Sequence, residues 1–200
     1  MEKSRIRFFT AAALLIAISL AAGGCISPKT TQPAPAPPPA TPAPATTAPK
    51  KTSYWKGEGV SGAPKIVISL GSQRAFFYKG DRLIGESAIS SGRKGFETPP
   101  GSYRVIQKSK DHVSNLYGDF VDEAGTVVKK NVDTSKQQPP EGATFRGASM
   151  PYFLRFHGGY GMHAGRLPGR RASHGCVRLP RWMAAHFYNN AAIGTPVVVE

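Results

Sequence analysis

KIVISLGSQRAFFYKG, residues 65–80, consists of two short runs of β-branched and aromatic residues on either side of Gly71-Ser72-Gln73. Such residues suit a pleated, half-buried surface, and a turn cluster between two of these runs predicts paired strands at Lys65–Leu70 and Arg74–Lys79. Gly80-Asp81 turns the chain into a third run, Arg82–Ser90, so the stretch predicts a meander. Further on, Ser91-Gly92 and Thr98-Pro99-Pro100-Gly101 punctuate a connection, and Ser102–Gln107, Tyr152–Phe156 and Val197–Val199 predict strands. Asp122-Glu123-Ala124-Gly125 predicts a hairpin turn, and residues 129–149, polar and rich in Pro and Gly, predict a long loop of the kind that serves as a lid. Only Pro180–Ala192 carries a helical pattern, with Trp182, Met183, Ala185, His186, Phe187 and Ile193 as its apolar or amphipathic positions. The expectation is a mainly β domain with one short helix near its C-terminus and a lid loop.

The 200 residues leave room for one such domain and a tether. Nine of the 18 prolines fall between Pro28 and Pro49, among alanines and threonines, a composition that cannot bury enough apolar surface to order itself. The bland reading, an extended spacer, is preferred to a Pro-rich recognition segment. Ahead of it, Lys3, Arg5 and Arg7 precede an apolar run from Phe8 to Ala22, the pattern of an export signal rather than a membrane span. Its end, Ala22-Gly23-Gly24-Cys25, resembles a bacterial lipobox, which implies lipidation of Cys25 and a membrane anchor. Ile26 follows, with no Asp there to signal inner-membrane retention, so the expected location is the periplasm-facing side of the outer membrane in a diderm organism. The formal charge of +14 falls to +12 once the three cations and one anion of the first 25 residues are removed. Export argues against nucleic acid as the partner of this charge and leaves anionic lipid or an acidic wall polymer.

Without Cys25 one thiol remains, Cys176, in Ala172-Ser173-His174-Gly175-Cys176-Val177-Arg178-Leu179. An inert buried cysteine is the bland reading. Against it, an unpaired thiol in an oxidising compartment stands beside His174, with His163 upstream and several arginines nearby, groups that favour the reactive thiolate. Gly175 lets backbone approach a substrate, so amides around Cys176 can face a developing oxyanion. Zinc on Cys176, His163 and His174 lacks an obvious fourth ligand, since only His157 offers itself and the paired spacings of zinc sites are absent. His112 and His186 are isolated and read as surface or packed histidines, and His157 stays open.

From Lys65 to Glu200 the chain resembles the bacterial L,D-transpeptidases, whose catalytic unit is called the YkuD domain. The resemblance rests on the aromatic-rich strand pair, Ser91-Gly92, Thr98-Pro99-Pro100-Gly101 and Ser173-His174-Gly175-Cys176-Val177-Arg178. It implies a β-sandwich that acts on the stem peptides of peptidoglycan without metal or cofactor. Residue by residue it implies Cys176 as nucleophile, His163 as its base, the Ala164 carbonyl as the group orienting that base, and amides near Gly175 and Cys176 as oxyanion donors. Ser173, His174, Arg178 and, at the lid exit, Tyr152 are implied substrate contacts, with Arg146, Arg155, Arg170 and Arg171 flanking the site. The implied chemistry is acyl transfer from a stem peptide to an amine, on a second stem or on a wall-attached protein. Water as acceptor would make the protein an L,D-carboxypeptidase of the same fold, and a non-catalytic wall-binding lipoprotein would need a dispensable Cys176. Ala164-Gly165 follows the base where Gly and then Ser or Thr are usual, and nine residues separate His163 from Ser173, fewer than in familiar members. The expected organisation is a lipoprotein signal peptide over 1–24, lipidated cysteine and disordered linker over 25–61, and catalytic domain over 62–200.

Overall fold

The computed structural model describes residues 53–200. The expected signal peptide, Cys25 and most of the linker lie outside these described residues. Two sheets share one core. The first has six strands in the order β1 (Tyr54–Trp55), β4 (Arg82–Ala88), β3 (Arg74–Lys79), β2 (Pro64–Ser69), β11 (Pro196–Val199), β5 (Gly101–Arg104). The second runs β10 (Val177–Leu179), β9 (Tyr160–Ala164), β8 (Thr144–His157), β6 (Gln107–Val121), β7 (Val127–Asp133). Strand alternation builds the core between them. Ile66, Ile68, Phe77, Ile84, Val197 and Val199 face inward from the first sheet and Leu154, Phe156, Met162, Val177 and Leu179 from the second. The one helix among the described residues, α1 (Arg181–Asn190), adds Met183 and Phe187 to the same core. At its C-terminal end Lys108 of β6 donates to the carbonyls of Tyr188 (2.8 Å) and Ala191 (2.5 Å), which satisfies acceptors the helix leaves open and ties it to the second sheet.

The meander 64–88 and the helix are where the residue pattern places them. Residues 129–149 are not one loop. Backbone pairing absorbs both ends of the segment, into β7 and into the start of β8, and only residues 134–143 between those strands lack strand structure. Composition misleads here because β7 is almost wholly exposed, with Val132 its one buried residue, so its polar side chains mark a solvated surface rather than a break in the ladder. The turn at Asp122–Gly125 joins β6 to β7, with Gly125 N–H donating to the Asp122 carbonyl.

The folded unit also begins before residue 62. Tyr54 and Trp55 pair with Glu86 and Gly85 of β4, and the Trp55 ring lies over Gly85, where a Cβ would come within 2.5 Å of it. The indole then packs edge-on against Phe77 (5.3 Å) and stacks on His186 (4.8 Å), so His186 is a packed histidine. One large aromatic side chain thus outweighs the polar residues around it. Trp55→Ala should lower stability by about 2–4 kcal/mol, the range for a truncated aromatic that is mostly covered. A urea-unfolding midpoint unchanged by the substitution would return residues 54–61 to the linker.

Candidate active site

Parallel pairing of β9 with β10 sets the site. Val177 lies opposite Met162, Arg178 opposite His163 and Leu179 opposite Ala164. Val177, Leu179, Met162 and Ala164 all face the core, so the alternate residues, His163, Cys176 and Arg178, share the other face. That face forms the floor of a cleft of about 680 Å³, whose walls come from β6, β7 and β8 and include His112, Tyr117, Asp119, Arg146 and Arg155.

The loop entering β10 is held by hydroxyls. Ser173 Oγ accepts from the Gly175 N–H (3.0 Å) and donates to the Cys176 carbonyl (2.5 Å). Thr98 Oγ1 accepts from the Gly92 N–H (3.0 Å) and donates to the Gly175 carbonyl (2.6 Å). Gly175 itself has φ 115°, and a Cβ there would sit 2.6 Å from the Tyr160 ring, so both conformation and space call for glycine. Since its N–H is committed to Ser173, Gly175 is not the oxyanion donor that the motif suggested; the Cys176 N–H takes no part in any of these bonds.

His163 is buried, and its Nδ1 lies 2.9 Å from the Ala164 carbonyl oxygen. A carbonyl only accepts, so Nδ1 carries the proton and Nε2 has the free lone pair. Burial brings its pKa down to about 4, Arg178 and His112 push the same way, and the Ala164 carbonyl opposes them. Burial also pushes the Cys176 thiol up, against a backbone hydrogen bond from Gly161 and the charges of Arg155 and Arg178. The resting pair near neutrality is therefore thiol and neutral imidazole, not the ion pair that nearby positive charge suggests, because desolvation of both groups outweighs their surroundings.

His174 Nε2 lies 2.8 Å from Arg93 Nη2. Arginine has no acceptor to offer, so this nitrogen accepts and His174 is neutral with its proton on Nδ1. Its ring stacks on Tyr117 (4.3 Å) and meets the edge of Phe96 (4.9 Å). Ser173, His174, Cys176, Arg178, His163 and Ala164 all border the cleft.

Tyr152 does not. Strand alternation puts it with Leu154 and Phe156 on the core side of β8, where it packs against Tyr188 (5.9 Å) and under Arg181 (5.4 Å). Arg170 and Arg171 are also outside the cleft; the Arg171 guanidinium donates to the Leu70 carbonyl, whereas Arg166 lines the site. His157 sits at the β8–β9 turn, tilted against Tyr103 (4.8 Å) and stacked near Tyr160 (6.0 Å), and does not line the cleft. Among the described residues no three of His, Cys, Asp or Glu come together as a metal site. His112, read as isolated, lines the cleft and stacks on Phe153 (4.2 Å), whose ring also neighbours His163 (6.3 Å). Neither Arg93 nor Tyr117 has a sequence signal, since each meets His174 only through the fold.

The family model of the L,D-transpeptidase catalytic domain, YkuD, matches residues 63–199. Among solved structures, an L,D-transpeptidase from Mycobacterium smegmatis is similar at 19% identity and a TM-score of 0.53, over 70% of this chain and 59% of that one. L,D-transpeptidase 3 from Mycobacterium tuberculosis, in complex with a faropenem-derived adduct, is similar at 23% identity and a TM-score of 0.54, over 69% of this chain and 60% of that one. A further L,D-transpeptidase from Mycobacterium tuberculosis shows 24% identity and a TM-score of 0.52, over 69% and 57%. The chain thus spans less than two thirds of the length of these proteins, and at such identities the likeness is one of fold. No curated protein matches the chain.

Proposed function

Because the chain belongs to the YkuD family of L,D-transpeptidase catalytic domains, we propose that it is a peptidoglycan L,D-transpeptidase with Cys176 as nucleophile and His163 as base. The observation that carries this is the His163 tautomer. With Nδ1–H donated to the Ala164 carbonyl, Nε2 is left as acceptor on the strand face shared with Cys176. Substrate binding expels water, and Nε2 takes the thiol proton as Sγ attacks the carbonyl of the third stem residue. The Cys176 N–H stabilises the resulting oxyanion. Collapse of the intermediate breaks the peptide bond, the leaving D-amino acid takes the proton from His163, and a thioester holds the donor. An acceptor amine then attacks the thioester, His163 removes a proton from that amine, and the thiol is regenerated with a new amide bond. Arg155, Arg166 and Arg178 line the cleft at positions suited to stem-peptide carboxylates.

Incubating the purified protein with a defined tetrapeptide donor and an amine acceptor tests this reading by mass spectrometry. A cross-linked product is expected. Tripeptide alone would replace transfer by trimming, and an unchanged donor would overturn both.

The reading includes a lipid anchor at Cys25, from which the linker lets the domain reach the wall. Cells fed a labelled fatty acid should label the protein, and Cys25→Ala should lose that label; a labelled Cys25→Ala protein would overturn the anchor.

A further inference from the structure

Around Cys176 each peptide unit has its own tether. The N–H of Gly175, which belongs to the 174–175 peptide, is held by Ser173 Oγ, and the Cys176 carbonyl, on the following side, is held by the same oxygen. The peptide between Gly175 and Cys176 is held from elsewhere in the chain. Its carbonyl accepts from Thr98 Oγ1 at 2.6 Å, and that hydroxyl is fixed in turn by the Gly92 N–H at 3.0 Å. Thr98 is 2% exposed, so no water competes for these bonds. Gly92 belongs to the same brace, since it bridges Ser173 and a Cβ on it would fall 1.9 Å from the Phe96 carbonyl oxygen.

The consequence follows from peptide geometry. In a trans peptide the C=O and N–H point in opposite directions, so holding the Gly175 carbonyl also aims the Cys176 N–H. Local preference does not do this, because a glycine at φ 115° has wide freedom on either side. The carbonyl is drawn toward Thr98, away from which the N–H of the cleft-lining Cys176 is directed.

Resting on the acyl-transfer reading above, we propose that Thr98 is a positioning residue whose hydroxyl holds the Gly175–Cys176 peptide so that the Cys176 N–H meets the oxyanion. Thr98→Val keeps the shape and removes both hydrogen bonds. With the full-length chain and imipenem, whose lactam carbonyl becomes an oxyanion on attack, the acylation rate of Thr98→Val should fall about 10- to 100-fold, less than removal of a donor outright. The loss should appear in the limiting rate at saturating imipenem rather than in the concentration for half-saturation. Alkylation by iodoacetamide forms no oxyanion, so its rate and pH profile should stay as in the native protein, and Thr98→Ser should recover acylation. Should Thr98→Val fail to fold, Thr98→Ala is read by the same comparison. Acylation at the native rate, or alkylation reduced by the same factor as acylation, overturns the role of Thr98 alone. A native protein that iodoacetamide alkylates and imipenem leaves untouched overturns the acyl-transfer reading, and this role with it.

Discussion

Replacing Cys176 with alanine is expected to abolish both the covalent imipenem adduct and turnover of a tetrapeptide donor, a loss on the order of 10⁴- to 10⁶-fold. Cys176 is the one thiol among the described residues. The hydroxyl closest in the chain, that of Ser173, is engaged in both directions by the Gly175 N–H and the Cys176 carbonyl. The fold has little reason to suffer, since Cys176 is only partly covered and the core of β10 is made by Val177 and Leu179. Intact-mass measurement reads the adduct and thermal melting reads the fold. An adduct that persists in Cys176→Ala with native melting would remove the nucleophile from Cys176.

His163→Ala should slow acylation by about 10²- to 10⁴-fold near neutral pH, the range for a lost general base. The pH dependence separates this role from a packing role. In the native protein His163 loses its proton as pH rises through about 4, so Nε2 is ready to accept above that value and blocked below it. The thiol stays protonated at neutrality because burial raises its pKa. Native acylation should therefore be nearly flat from roughly pH 5.5 to 8 and fall below it. In His163→Ala the thiol must ionise into solvent, so the rate should climb about tenfold per pH unit until the raised thiol pKa is passed. A flat profile in the variant, or a native profile that follows thiolate fraction, would show that His163 is not the base. Chelator should leave both profiles unchanged, because among the described residues no three of His, Cys, Asp or Glu come together as a metal site.

Legibility in the sequence followed the range of the forces involved. Strands β2 to β4 could be read directly, because the β-branched and aromatic runs, in which Ile66 and Ile68 alternate with less buried neighbours, and the turns between are local properties. Strand β6 could not. Its stretch from Lys108 to His112 is polar, since one of its faces borders the cleft and solvent, and it is a strand because β8 pairs along it. The same pairing carries His112, opposite Met150, into the cleft, although nothing near it in sequence hints at this. Tyr152 failed for the opposite reason. Proximity to a supposed lid suggested a substrate contact, whereas strand alternation sends its ring to the core, beside Tyr188.

By itself, the sequence determined the mainly β class, the family, the helix near the C-terminus and the nucleophile candidate. Each rests on alternation, turn chemistry or one contiguous motif, which neighbouring residues establish without help from distant ones. The tertiary structure decided what that motif meets. His163 shares a face with Cys176 because β9 and β10 run parallel in one register, and Thr98 reaches the Gly175 carbonyl across 77 positions of chain. The resting protonation of the pair was also beyond local reading, because burial sums the surroundings contributed by the whole fold, and here it outweighs the arginines that composition brought to notice.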